Sequence, residues 1–286
     1  MQIHTKNIVI LTLAMVFIST SGTLGKFIAL PVPVIIWWRC FLGAVFILIF
    51  CLVSKLQLKP KSRRDVLPFL ISALLLGAHW ITYFYSLKMS NVAIGMLTLF
   101  TFPIMTALLE PLVYKVKFDY VHLIMGAMVL VGIYILSPVM DFENDMVKGI
   151  LLGLLSAFCY SIRNLIIKNY TQNYHGSVLM FYQIAVLSLI LWPVLLFFEV
   201  KDFSTQFPYV LFLALFTTAI GHSLFLKALK YFKVSSASIM ASAQPIFGII
   251  IAYFFLSEIP APNTVLGGSL VLATVIIEGL RSRKQN

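Results

Sequence analysis

Long charge-poor stretches recur along the whole chain, and they constrain its fold more than any other feature. Ten of them, at about residues 8–28, 33–53, 67–87, 92–114, 120–138, 148–168, 176–198, 208–228, 235–256 and 263–280, match or approach the roughly 17–25 apolar residues that a bilayer core requires. Only 11% of the 286 residues are charged and the mean hydropathy is +0.98, too few charges to cover a water-soluble protein of this size. In hydrocarbon the backbone has no water to bond, so each crossing stretch has to satisfy itself as a helix. The expected fold is all-α: a polytopic membrane protein with ten transmembrane helices. The connections are short, the longest polar ones being 54–66, 139–147 and 199–207, and leave no room for an extramembrane domain. The first run shows no small-residue cleavage pattern and reads as a retained helix.

The net charge of +11 would suggest nucleic acid in a soluble protein; here it describes topology, and no nucleic-acid partner is expected. With the N-terminus in the cytoplasm, fifteen of the 21 basic residues fall on the inner side, among them Lys55, Lys59, Lys61, Arg63 and Arg64, and four, Lys26, Lys88, Lys148 and Lys201, on the outer side. Arg39 and Arg163 lie within helices. The bias predicts N-in, C-in. Cys40, Cys51 and Cys159 sit inside apolar segments and read as inert packing rather than disulfides. No cluster of His, Cys or carboxylates has metal-ligand spacing, so neither metal nor cofactor is expected.

The stretch LKMSNVAIGMLTLFTFPIMTALLEP from Leu87 has a counterpart 142 residues on, LKYFKVSSASIMASAQPIFGIIIAY from Leu229. Leu87, Lys88, Val92, Pro103 and Ile104 fall on Leu229, Lys230, Val234, Pro245 and Ile246 without a gap. Ser19/Ser161, Lys26/Lys168, Gly126/Gly268, Val129/Val271 and Leu130/Leu272 match at the same offset. Five helices in each half is an odd number, so the halves, residues 1–144 and 145–286, enter the membrane from opposite sides as inverted repeats. Such repeats suit alternating access. Each copy carries its proline inside the helix, where a lost donor and a steric clash predict a bend or break near mid-span.

Ionisable groups in hydrocarbon are costly, roughly 2.5–3.5 kcal/mol for Arg, Lys or Asp at a helix centre, and are therefore candidates for function. Arg39, in WWRCF, can face the path and hold an anionic group such as a carboxylate, or snorkel to the outer headgroups. His79, in GAHWITYFY near Trp80 and Tyr83, and His222, in IGHSLF, lie near the middles of their helices, where an imidazole suits proton coupling or substrate hydrogen bonding; the alternative for each is a neutral histidine sealed by a carbonyl. At the 142-residue offset His222 aligns with Trp80. Glu110 stands about seven residues past Pro103, roughly 10 Å, beside Pro111, where it can carry a proton, pair with Arg163, or reach the inner interface separately. Structural pairing or interfacial placement is the favoured reading for both. The small-residue run Ser235, Ser236, Ala237, Ser238, Ala241, Ser242 and Ala243 precedes Gln244 and Pro245 and can line a polar site or simply let helices approach.

With these residues the chain resembles the drug/metabolite transporter superfamily, specifically its EamA-type ten-helix members. The resemblance rests on GAHWITYFYSLKMSNVAIGMLTLFTFPIMTALLEPL, on FLKALKYFKVSSASIMASAQPIFGIIIAYFFLSE and on WRCFLGA in the second helix. It spans essentially residues 8–280. It implies a bacterial inner-membrane transporter of small metabolites, amino acids among them, without a cofactor. The implied cavity is walled by the third, fourth, eighth and ninth helices, which places His79, Trp80, Tyr83, Thr98, Pro103, His222, Gln244 and Pro245 near the path, and Arg39 resembles an arginine that many members keep at the start of the second helix. The second half keeps the LSE pattern at Leu256, Ser257 and Glu258, whereas the first half has Tyr114, Lys115, Val116 and Lys117 there.

The expected function is a secondary transporter of small metabolites, exporting, with a proton as candidate coupling ion and the bilayer as its setting. Oligomeric state, monomer or homodimer, is left open. Rivals are transport of a nucleotide sugar or a lipid-linked group, and a non-transporting scaffold. An enzyme would need a convergent catalytic cluster at one interface, and the polar groups here are spread over several depths.

Overall fold

The structure, a computed structural model, describes residues 2–114, 119–136, 141, 143–232, 234, 237, 241 and 244–284. The described residues are helical apart from short connections. In chain order the helices are α1 (Gln2–Phe27), α2 (Val32–Val53), a 3-10 turn (Arg63–Asp65), α3 (Val66–Met89), α4 (Val92–Leu99), α5 (Phe102–Tyr114), α6 (Val121–Leu136), α7 (Asp145–Lys168), α8 (Gly176–Leu191), α9 (Val194–Phe197), α10 (Phe203–Phe212), a π segment (Leu213–His222), α11 (Ser223–Leu229), α12 (Gln244–Leu256) and α13 (Pro262–Lys284).

Seven helical stretches among the described residues are long and apolar enough to cross a bilayer: Val9–Phe27, Val32–Val53, Arg63–Met89, Val92–Tyr114, Asp145–Lys168, Gly176–Phe197 and Phe203–Leu229. Large apolar side chains such as Leu52, Val53, Leu112, Phe254 and Phe255 point outward and exposed. An apolar shell of this extent has only lipid to face. The chain is an all-α polytopic membrane protein. Of the other three expected spans, α6 is described over 16 residues and α12 over 13, with Val234, Ala237 and Ala241 also helical, and α13 covers the last. Of the small-residue run, Ser235, Ser236, Ser238, Ser242 and Ala243 lie outside the described residues; Ala237 and Ala241 are buried.

The helix expected over 92–114 is broken near mid-span, beside its proline. α4 ends at Leu99 and α5 begins at Phe102, with Pro103 in the first turn of α5. Pro245 is helical and follows Gln244, and Val234, Ala237 and Ala241 before it are helical as well. Proline is at home in a first turn, as at Pro103, because that turn leaves its N–H groups unbonded in any case. Pro111, in contrast, is carried inside α5 without ending it, so Glu110 does not sit beside a break. Polar residues start several helices: the Asn91 Oδ1 accepts from the Ile94 N–H at 2.8 Å, the Asn144 Oδ1 from Met146 at 2.8 Å, and the His175 Nδ1 from Ser177 at 3.3 Å. A good cap of this kind contributes about 1 kcal/mol.

Packing places α3 along α7, α1 against α12, the π segment and α11, and α2 against α8 and the π segment. α6 packs on α13, where the Gly132 and Gly267 backbones nearly touch. Small residues of this kind let membrane helices approach without any hydrophobic drive between them.

Candidate functional site

Three helices converge on a buried cluster around Arg39. Helix α3 presents His79, Trp80 and Tyr83 at spacings that share one face. The π segment presents Thr218 and His222, four residues apart, and its wider turn lets the Thr218 hydroxyl donate to the Leu213 carbonyl five residues back at 3.1 Å; such segments recur at functional sites. Helix α2 contributes Arg39 itself, fully buried. Its Nε donates to the Thr218 Oγ1 at 2.6 Å, one terminal nitrogen to the Ser21 Oγ at 3.4 Å, and the other to the His222 Nε2 at 3.4 Å. The guanidinium carbon lies 3.8 Å from the Trp80 ring centroid, a cation–π contact worth about 2 kcal/mol when desolvated. Arg39 therefore turns inward and does not snorkel.

Hydrogen-bond logic assigns the imidazole tautomers. Arginine only donates, so the His222 Nε2 accepts, and in the neutral ring the proton stands on Nδ1, a buried atom with no partner among the described residues. The Ser156 hydroxyl donates to the His79 carbonyl at 2.9 Å and lies 2.7 Å from the His79 Nδ1. One hydroxyl proton cannot serve both, so Nδ1–H donates to Ser156 and Nε2 is left as the acceptor of that ring. Tyr160 stacks on His79 at 4.4 Å and Trp80 meets His222 edge-on at 5.4 Å.

Between these groups lies a cavity lined by Ile18, Ser21, His79, Trp80, Tyr83, Met96, Leu99, Phe100, Phe102, Tyr160, His222 and Gln244. Its empty volume, counting the part open to solvent, is about 410 Å³. Five expected path residues line it: His79, Trp80, Tyr83, His222 and Gln244. Arg39 lies one layer behind, covered by Ser21, Trp80 and His222. Thr98 turns its hydroxyl to the Ile94 and Gly95 carbonyls at 2.8 and 3.2 Å. Pro103 stands in the first turn of α5 and Pro245 follows the wall residue Gln244; neither lines the cavity. Ile18 and Ser21 of α1 and Tyr160 of α7 were not expected from the sequence, which looked to other helices. Ser156, Tyr160 and Arg163 do recur at helical spacing, a polar stripe that periodicity could have flagged.

Arg163 is also fully buried. Its Nε donates to the Gln183 Oε1 at 2.7 Å and a terminal nitrogen to the Asn164 Oδ1 at 2.9 Å, with the Met180 sulfur 3.9 Å from the other. These neighbours occupy the fork, and Glu110 is not among its partners. Its guanidinium carbon is 6.0 Å from the Tyr160 ring centroid. Among the described residues no carboxylate is buried and none lines the cavity, and no group of three or more His, Cys, Asp or Glu could hold a metal.

The EamA-like transporter family matches the chain twice, over residues 5–137 and 147–278. This chain belongs to the EamA-like transporter family. An uncharacterized transporter of Archaeoglobus fulgidus is 25% identical over 240 residues, 84% of this chain and 83% of that protein. The uncharacterized transporter YxxF of Bacillus subtilis is 24% identical over 277 residues, 95% of this chain and 88% of its own length. YdfC of the same organism, also an uncharacterized transporter, is 24% identical over 260 residues, 87% and 82% of the two chains. A crystal structure with a TM-score of 0.72 at 16% identity covers 99% of both chains and bears on the fold alone. As a family member the chain is a secondary transporter and not an enzyme.

Proposed function

We propose that the chain is a ten-helix transporter of two inverted repeats, residues 1–144 and 145–286, with both termini in the cytoplasm. It moves small metabolites, amino acids among the candidates, outward across the cytoplasmic membrane by alternating access through the Trp80–His222 cavity. The observation that carries the reading is the contact between Trp80 and His222, 142 residues apart in sequence and 5.4 Å apart in space. Residues exchanged by a twofold axis touch when they lie close to it, so a cavity there lies between the halves, as alternating access requires.

Other features support it. The two family matches divide near residue 144. The packing of α3 on α7 has its exchange counterpart in α1 on the π segment and α11, and α6 on α13 and α2 on α8 are each their own counterparts. Lys26 donates to the Lys88 and Ser90 carbonyls, and Lys168, at the equivalent position, to those of Leu229 and Phe232. In alternating access both ends of the path have to widen in turn.

Purified protein in liposomes is expected to move candidate metabolites across an imposed pH or substrate gradient. No flux above empty liposomes for any of them would overturn the proposal. Within it, His79 serves through hydrogen bonding, so His79→Gln should retain more transport than His79→Ala. Loss of pH dependence in both variants, with binding intact, would assign the residue to proton coupling instead.

A further inference from the structure

Two guanidinium groups lie fully buried beside the cavity, and among the described residues no buried carboxylate balances them. Arginine stays charged in proteins, and a buried charge ordinarily has a counter-charge. The hydrogen-bond partners of Arg39 are Thr218, Ser21 and His222, and those of Arg163 are Gln183, Asn164 and the Met180 sulfur, all neutral. Each stands against an aromatic residue of the cavity wall: Arg39 against Trp80 and Arg163 near Tyr160. Among the described residues no carboxylate is buried near them.

A second observation is independent of charge. The His222 imidazole, 2% exposed and part of the cavity wall, keeps a buried Nδ1 without a partner among the described residues, and with Nε2 accepting from Arg39 that atom carries a proton. A buried donor without an acceptor is a standing cost that a ligand oxygen would relieve. Among the described residues the two terminal nitrogens of Arg39 are held by 3.4 Å contacts to Ser21 and His222. A modest shift of Trp80 or His222 would open them toward the cavity.

We infer that the substrate is an organic monocarboxylate with an apolar, largely flat body, its carboxylate completing the Arg39–His222 pair and its body lying between the aromatic walls. The inference rests on the transport reading above and narrows it. A cationic substrate finds two like charges and no carboxylate, and the ammonium of a zwitterion finds only neutral groups. A fixed positive field in a water-poor site favours an anion without requiring its full contact with both arginines.

The test uses aliphatic and phenylalkyl monocarboxylates, each matched with its primary amide and its amine. Binding is read by thermal shift, and flux in liposomes. The acids are expected to bind about tenfold or more tightly than their amides, and the amines not to compete. Arg39→Gln should bring the acids down to the level of the amides, while Arg39→Lys, which keeps the charge in case the glutamine variant fails to fold, should retain part of the difference. Amides or amines carried as well as the acids would overturn the anion assignment and leave the transport reading standing. An acid-to-amide ratio unchanged in folded Arg39→Gln and Arg163→Gln would overturn it as well. No flux of any member above empty liposomes would overturn both readings.

Discussion

His175 shows how a single side chain in this bundle can be tuned by its surroundings. It stands just before α8, outside the membrane-spanning stretches, where its Nδ1 accepts from the Ser177 N–H. Burial holds its protonation below the ordinary value of 6.5, and the positive charges of Lys227 and Lys230 add to the effect. Protonating Nδ1 would also remove the acceptor that caps the helix. The unfolded chain therefore binds this proton more readily than the folded one, so the residue costs stability as pH falls from about 7 toward 5 and is without effect above that range. His175→Asn keeps a capping side chain of at least equal quality and deletes the titration. Unfolding temperatures across that range should fall less steeply in the variant than in the parent. Parallel slopes would show that the group does not contribute.

At the scale of helices, the closest approach is between α6 and α13. A Cβ added at Gly267 would lie 2.5 Å from the Gly132 carbonyl oxygen, and one at Gly132 would lie 2.9 Å from the Gly267 oxygen. Backbone cannot rotate away, so Gly267→Ala has to push the helices apart, at about 1–3 kcal/mol. Gly126, on the same helix as Gly132, would place its Cβ 3.8 Å from a Leu108 methyl, and Gly126→Ala should stay within about 0.5 kcal/mol. Equal unfolding temperatures for the two variants would show that the contact does not decide the packing. Gly126 was visible in sequence as the partner of Gly268, yet spacing could not say that its neighbours Gly132 and Gly267 hold the closer contact. Most helix limits were legible because runs of apolar residues end at capping or charged residues, as at Asn91 and Asn144. The break before Pro103 was legible from its proline; whether a proline bends a helix or begins one, which depends on what the preceding turn packs against, was not. The π segment was not legible: LALFTTAIGH has nothing in its composition that separates a five-residue hydrogen bond from a four-residue one. The cavity was half legible for a similar reason. His79 and His222 are conspicuous in an apolar run, whereas Ile18 and Tyr160 become wall residues only once α1 and α7 are packed beside α3.

Across the whole molecule the two halves are matched at their centre and unmatched at one mouth. Lys26 and Lys168 tie the ends of α1 and α7 to carbonyls in equivalent turns. The Glu258 Oε2, however, accepts from the Val92 N–H at 2.8 Å, joining the end of α12 to the start of α4 across the proposed halves. The position 142 residues earlier is Val116, which has no carboxylate to offer. With the N-terminus inside, this extra tie lies at the outer mouth, so closure costs the two sides differently. A hydrogen bond to a charged group is worth about 1.5–3 kcal/mol, which corresponds to about tenfold or more on an opening equilibrium. Ala93 is buried and lines the small cleft shared by Asn91 and Glu258, and Cys40, Cys51 and Cys159 are free and buried. A cysteine introduced as Ala93→Cys should therefore report opening of this mouth over a low background. Added from outside, an impermeant thiol reagent should label it about fivefold or more faster in a Glu258→Ala background. An unchanged rate would mean that Glu258 does not hold the outer mouth closed. A faster rate would assign the asymmetry of the two helix ends to the preference of the resting protein for the side on which it opens.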